Sequence, residues 1–86
     1  MLDGAVILTR SQCRAARALL DWKAAQLADA AGLSLMTVKR FELGQTIAEP
    51  SLQRIAQALR EAGVTLLATG DLTPGGEGVR LTPKPE

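Results

Sequence analysis

Through the first two thirds of the chain, apolar residues recur at helical intervals; near its end they alternate with polar ones. Cys13, Ala16 and Leu20 mark one helix face. Thr9-Arg10-Ser11-Gln12 ahead of them reads as a capping box, with Leu8 and Cys13 at the two staple positions. This predicts a first helix over residues 9–21, ending near Asp21-Trp22. Ala24, Leu27, Ala28 and Ala31 fall at i, i+3, i+4 and i+7 and predict a second helix over 24–31, stopped by Gly32. Ser34 is placed as the N-cap of a third helix over 35–43, with Leu33 and Val38 as its staple, Val38 and Phe41 facing inward, and Gly44 at its end. Leu52, Ile55, Ala56 and Leu59 line a fourth helix over 50–62, with Pro50 at its first position and Gly63 closing it. The short run Ala5-Val6-Ile7-Leu8 fits either a buried strand or a lead-in.

Beyond Gly63 the period changes. Val64-Thr65-Leu66-Leu67 is β-prone, residues 69–77 are rich in turn formers, and Val79-Arg80-Leu81-Thr82 alternates as a half-exposed strand does. The expected organisation is a helical unit over 1–63 followed by a β-hairpin and a fraying tail over 64–86, mainly α, with no internal repeat. Two strands alone are barely stable, so the hairpin needs a helix to lean on or a partner's strands.

Composition narrows the chemistry. The 86 residues contain no His, one Cys (Cys13) and only two aromatics, Trp22 and Phe41. That excludes a zinc finger, a disulfide framework and a His-dependent catalytic triad. No nucleophile–base arrangement surrounds Ser11 or Asp21, so no enzyme is expected, and no cofactor or metal. A lone thiol suits a cytosolic compartment. Neither a membrane span nor a signal peptide is expected. The formal net charge is +1, but residues 9–23 alone carry +3, so an electrostatic footprint belongs in the first third of the chain.

The functional signal lies in Ala24 to Leu43, a helix, a glycine turn and a second helix. The turn Gly32-Leu33-Ser34 forces a steep crossing, and Ala28 is small enough to allow close approach. Leu27, Ala31, Leu33, Val38 and Phe41 then share one core, leaving Met36, Lys39, Arg40 and Leu43 on the opposite face. A short helix standing off a compact body, with two cations on its outer face, suits the major groove of DNA.

Leu27-Ala28, Ala31-Gly32-Leu33-Ser34, Val38, Phe41-Glu42-x-Gly44, Pro50-Ser51-Leu52 and Ile55-Ala56-x-Ala58-Leu59, all in register, resemble the XRE family, the helix-turn-helix of phage repressors and Cro, over about Thr9 to Gly63. The resemblance implies a lambda-repressor-like bundle of five short helices or slightly fewer, with the third as recognition helix. It implies base contacts from Ser34, Leu35, Met36, Thr37 and Arg40. Arg40 suits a bidentate contact to guanine, whereas Leu35 and Met36 are limited to thymine methyls or shape. Phosphate contacts are implied for Lys23, with Arg10, Lys39, Gln45 and Thr46 as further backbone ligands. A structural ion pair is implied between Arg17 and Glu42. The chain departs from the family at Ala24, where a glutamine is usual, at Leu43, usually polar, and in the loop Thr46-Ile47-Ala48, which lacks basic residues.

One module of this size contacts few base pairs, so a sequence-specific regulator needs a two-fold partner. The expected function is a homodimeric, DNA-binding transcriptional repressor, cytoplasmic and nucleoid-associated. Val64, Leu66, Val79 and Leu81 are its expected dimerisation residues, with Ala5 to Leu8 as a further apolar run available to the interface. The alternative is an antitoxin or other protein-binding module on the same fold, with Thr69 to Glu86 contacting a toxin or another partner.

Overall fold

The computed structural model describes residues 8–67 and 78–81. It contains α1 (Arg10–Leu20), α2 (Ala24–Ala31), α3 (Leu35–Glu42), α4 (Glu49–Glu61), β1 (Val64–Leu67) and β2 (Gly78–Leu81). The described residues thus hold four helices and one two-stranded antiparallel sheet. The run Ala5 to Ile7, the turn at 69–77, Thr82 and the tail at 83–86 lie outside the described residues. So does most of the segment considered for a protein partner.

Local chemistry explains the helix ends. The Thr9 hydroxyl accepts the Gln12 N–H, and the Gln12 Oε1 accepts the Thr9 N–H, each at 3.1 Å, closing the expected capping box. Ser34 caps α3 by accepting the Thr37 N–H at 3.1 Å. α4 begins at Glu49, one residue earlier than the sequence pattern predicts, with Pro50 inside its first turn. Ala48 offers this end no side-chain cap, but Glu49 places an acidic residue in the first turn, where the helix dipole favours negative charge. The first three helices share one way of stopping. The N–H groups of Trp22, Leu33 and Gln45 donate to the carbonyls of Arg17, Ala28 and Arg40, five residues back, at 2.8, 2.9 and 3.0 Å. The residue before each has positive φ: Asp21 at 57°, Gly32 at 70° and Gly44 at 96°.

The core is thin and built on small residues. Leu27, Ile55, Leu59, Val38 and Cys13 are its largest enclosed side chains, and Ala16, Ala28 and Ala56 let the helices close on them. Each enclosed Leu or Ile contributes about 1.5–3 kcal/mol relative to exposure. α2 packs on α3 and α4, α1 on α3 and β2, and α4 on β1.

The hairpin belongs to this core. Val64 pairs with Leu81 and Leu66 with Val79. Val64 lies inside the core cluster, and Leu66 and Val79 pack against it. The hairpin therefore leans on the helices of its own chain. Gln12 fastens it: its Nε2 donates to the Leu67 carbonyl at 2.8 Å and to the Gly78 carbonyl at 3.0 Å. One buried amide thus caps α1 and ties both strands to that helix. Of the expected dimerisation residues, Val64 is enclosed in the core of its own chain, Leu66 and Val79 are half-buried against it, and Leu81 is 42% exposed.

Candidate nucleic-acid interface

α3 is held from its inner side. Val38 is enclosed and Phe41 is half-buried against the core. At the far end Glu42 meets α1. Arg17 donates from Nε to Oε2 at 2.8 Å and from Nη2 to Oε1 at 2.7 Å, a two-bonded fork, while its Nη1 donates to the Trp22 carbonyl at 3.1 Å. The Cys13 thiol adds a third donor to the Glu42 carboxylate at 3.0 Å. The Arg17 and Glu42 side chains are 20% and 10% exposed, so the pair is largely shielded from solvent.

The electrostatics of this cluster are set by burial and by the fork. Burial pushes the Glu42 carboxyl up, but the hydrogen bonds from Arg17 and Cys13 and the charge of Arg17 outweigh it, and the group sits below its ordinary range. The hydrogen bond to Glu42, opposed by burial, raises the Arg17 guanidinium further. Burial first, then the hydrogen bond to Glu42 and its charge, push the Cys13 thiol far above the ordinary range, so it stays protonated and donates.

The outer side of α3 is left free. Met36, Lys39, Arg40 and Leu43 stand on it, four exposed positions at helical spacing. Met36 is 56% and Leu43 72% exposed, and Leu35 beside the helix tip is 39% exposed. Ser34 and Thr37 present less than their residue types suggest. Their hydroxyls bond each other at 2.9 Å, Ser34 also accepts the Thr37 N–H, and Thr37 is half-buried.

The cations flank this ridge. Arg10, at the start of α1, lays its guanidinium over Gly44, so close that a Cβ there would lie 2.6 Å from Nη1. Arg10, Leu43, Gln45 and Thr46 line one shallow groove of about 590 Å³, floored by Phe41, Ile47 and Leu52. Arg14 and Lys39 border a smaller cleft beside Glu42 and Leu43. Lys23 precedes α2 in extended conformation, its backbone N–H bonded to the Gln26 Oε1 at 2.8 Å; it does not line the groove. Arg17 with Glu42 is the one ion pair among the described residues, which leaves Arg10, Arg14, Lys39 and Arg40 without carboxylate partners there.

Three contributions escaped sequence reasoning. Arg14, counted in the sequence only within the positive charge of residues 9–23, borders a cleft with Lys39. Arg54 of α4 brings its Nη1 within 3.6 Å of where a Cβ on Gly32 would stand, placing a cation at the turn between α2 and α3. Cys13 reads as a small core residue, which it is, and it also braces Glu42. No local pattern announces these contacts, because each joins residues distant in sequence. Among the described residues no cluster of His, Cys, Asp and Glu is suited to hold a metal ion, and no helix is long and apolar enough to cross a membrane.

Comparison with known protein families matches residues 14–66 to the helix-turn-helix family HTH_3, of the XRE/Cro type. That span runs from the middle of α1 into β1 and contains the whole of α2, the turn and α3. No curated relative matches the chain at a significant level.

Proposed function

The chain belongs to the HTH_3 helix-turn-helix family, whose members bind DNA, and from that premise we infer a sequence-specific transcriptional repressor that binds a two-fold-symmetric operator as a homodimer. The observation that carries this reading is the two-sidedness of α3. Its inner side is locked by Val38, the Ser34 cap and the Arg17–Glu42 fork, while its outer side offers Met36, Arg40 and Leu43 beside cations that form no ion pair among the described residues.

In this reading α3 enters the major groove. Arg40 donates two parallel hydrogen bonds to a guanine, the geometry a guanidinium fork fits best. Ser34, Leu35, Met36 and Thr37 approach the bases with the helix tip. Arg10, Lys23, Lys39, Gln45 and Thr46 meet phosphates and set the register; Arg14 joins them from its position beside Lys39. The dimer forms through Leu81 and a strand edge that no other strand among the described residues covers. Repression follows from occupancy of the operator.

Selection of binding sites from random duplexes at near-physiological salt tests this. The expected result is a symmetric motif with half-sites one helical turn, about 34 Å, apart. Arg40→Ala then relaxes the preference at one base pair per half-site. Binding without an enriched motif, lost steeply as salt rises, would overturn the reading in favour of non-specific attachment. The dimer is tested separately by sedimentation: Leu81→Glu is expected to give a folded monomer, and an unchanged dimer would move the interface elsewhere.

A further inference from the structure

We propose that Gln12 is a positioning residue for DNA recognition: by tying the hairpin to α1 it fixes the separation of the two recognition helices in the dimer, and with it the half-site spacing that the protein accepts. This rests on the hairpin-joined, operator-binding dimer inferred above. The side chain is built for such a tie. Gln12 is 3% exposed, and its amide is engaged at both ends. Oε1 accepts the Thr9 N–H at 3.1 Å, while Nε2 donates to the carbonyls of Leu67 at 2.8 Å and Gly78 at 3.0 Å. Leu67 and Gly78 are partners across the sheet, so one amide holds both strands at the same level. Gln12 and β2 lie outside the span matched to the family, so the match does not include this tie.

The tie sits on the path from the hairpin to α3. α1 packs against both β2 and α3. In its first turn Gln12 grips the sheet; the next residue, Cys13, and Arg17 one turn further on grip the Glu42 carboxylate at the end of α3. One helix therefore bonds the hairpin and the recognition helix alike, through directed hydrogen bonds, where apolar contacts alone would let the elements slide. The sheet is fixed at two points. Val64 is sealed in the core at one end of the pairing, and Gln12 holds the Leu67–Gly78 pair at the other, about 10 Å along the strand. Without the amide one point remains, and a strand held at one end pivots. In a dimer joined through the hairpin, a tilt of about 10° over half of the roughly 34 Å separation moves each recognition helix by about 3 Å, nearly one base step.

The test uses the full chain, the operator obtained by selection, the same operator with one base pair inserted between its half-sites, and an isolated half-site. The insertion should cost the wild type about tenfold in affinity, the scale of one mismatched base pair, and Gln12→Met about threefold or less. Affinity for the isolated half-site should be the same in both proteins. Thr9→Ala loses the capping hydroxyl but keeps the Nε2 bonds; it should lower the unfolding temperature and retain the wild-type spacing penalty. If Gln12→Met does not fold, Gln12→Glu keeps the oxygen that accepts the Thr9 N–H, lacks the two donations to the strands, and carries the same expectation. A wild-type spacing penalty in a folded Gln12 variant would overturn the proposal. So would a collapsed penalty in Thr9→Ala, because any loosening of α1 would then suffice. Weakened binding of a Gln12 variant to the isolated half-site would overturn it by placing the effect in α3. Failure of both Gln12 variants to fold would overturn it as well, by making Gln12 a requirement of the fold rather than of the spacing. Absence of a two-fold motif, or of a dimer, would overturn the parent reading together with this one.

Discussion

α2 and α3 are both eight residues long and lie against each other, but they divide their surfaces differently. α2 buries Leu27, Ala28 and Ala31 and reaches α3 on one side and α4 on the other. α3 buries Val38 alone and compensates at its ends, with the Ser34 hydroxyl at one and the Glu42 carboxylate at the other. The stops differ as well. After Gly32 the chain turns the half-buried Leu33 back onto the core; after Gly44 it presents the exposed Gln45. A helix anchored by polar contacts at its two ends and by Val38 and the half-buried Phe41 between them keeps its outer positions free of any packing duty. Those positions can change without cost to the core, while α2 stays committed to it.

The largest effect expected from breaking this comparison lies in α2. Leu27→Ala removes a fully enclosed side chain between three helices and should cost about 2–5 kcal/mol. Urea unfolding followed by circular dichroism checks it, and the loss should reach most of the stability of so small a domain. A loss below about 0.5 kcal/mol, the scale of a surface change, would mean that the core relaxes into the space.

Next comes the anchor of α3. Arg17→Ala leaves the Glu42 carboxylate shielded and deprived of its fork, and should cost about 2–3 kcal/mol, somewhat less than a completely buried pair because both partners keep some solvent contact. The pH dependence follows from the direction of the Glu42 shift. Its carboxyl is held below the ordinary value in the fold, so the unfolded chain takes up the proton first. The stabilisation is complete above the ordinary carboxylate value of about 4.3 and is lost as pH falls through the lower value of the fold. Arg17→Ala should therefore flatten the acid limb of the stability curve, and an acid limb identical to that of the wild type would show that Glu42 does not set it.

Gly44→Ala should have a smaller effect, about 1–2 kcal/mol from the left-handed backbone alone. It also displaces the Arg10 guanidinium from its seat. Gly32→Ala shares the backbone cost, but at 3.6 Å its nearest neighbour, Arg54, is in ordinary contact. Comparing the two by thermal unfolding separates backbone strain from the clash. Equal losses would show that Arg10 moves aside freely.

These sites differ in how far the sequence disclosed them. The α2 face is legible because apolar residues at i, i+3, i+4 and i+7 have one physical meaning, and Thr9 with Gln12, Ser34 and Gly32 are local signals for local events. The Arg17–Glu42 pair enters the sequence reading through family resemblance, since nothing in the spacing of two residues 25 apart requires a bond between them. The role of Gln12 is half legible: its Oε1 acts three residues away, whereas its Nε2 acts 55 and 66 residues away. The burial of Val64 is hidden for a related reason: nothing local in a β-prone run after the last helix says that the fold returns it to α4. The early start of α4 at Glu49 escapes the pattern because Ala48 supplies no capping side chain to mark it.

The smallest expected effect on stability is the one that bears most on function. Met36→Ala, Arg40→Ala and Leu43→Ala all act on the outer side of α3, where no core contact is lost, and each should change stability by less than about 0.5 kcal/mol. On the proposed reading, in which Arg40 meets a guanine through two hydrogen bonds, Arg40→Ala should nevertheless weaken operator binding by about 1–3 kcal/mol. Leu43, the most exposed large apolar residue described, sits at the opposite end of the ridge from the tip. Its replacement separates two uses of the ridge. If the whole length of α3 follows the groove, Leu43→Ala also lowers affinity; if only the tip enters, affinity is unchanged and the binding surface ends at Arg40. A fall in stability as large as that of Leu27→Ala in any of the three would mean that the outer side packs after all, and the contrast between α2 and α3 would fail at its root.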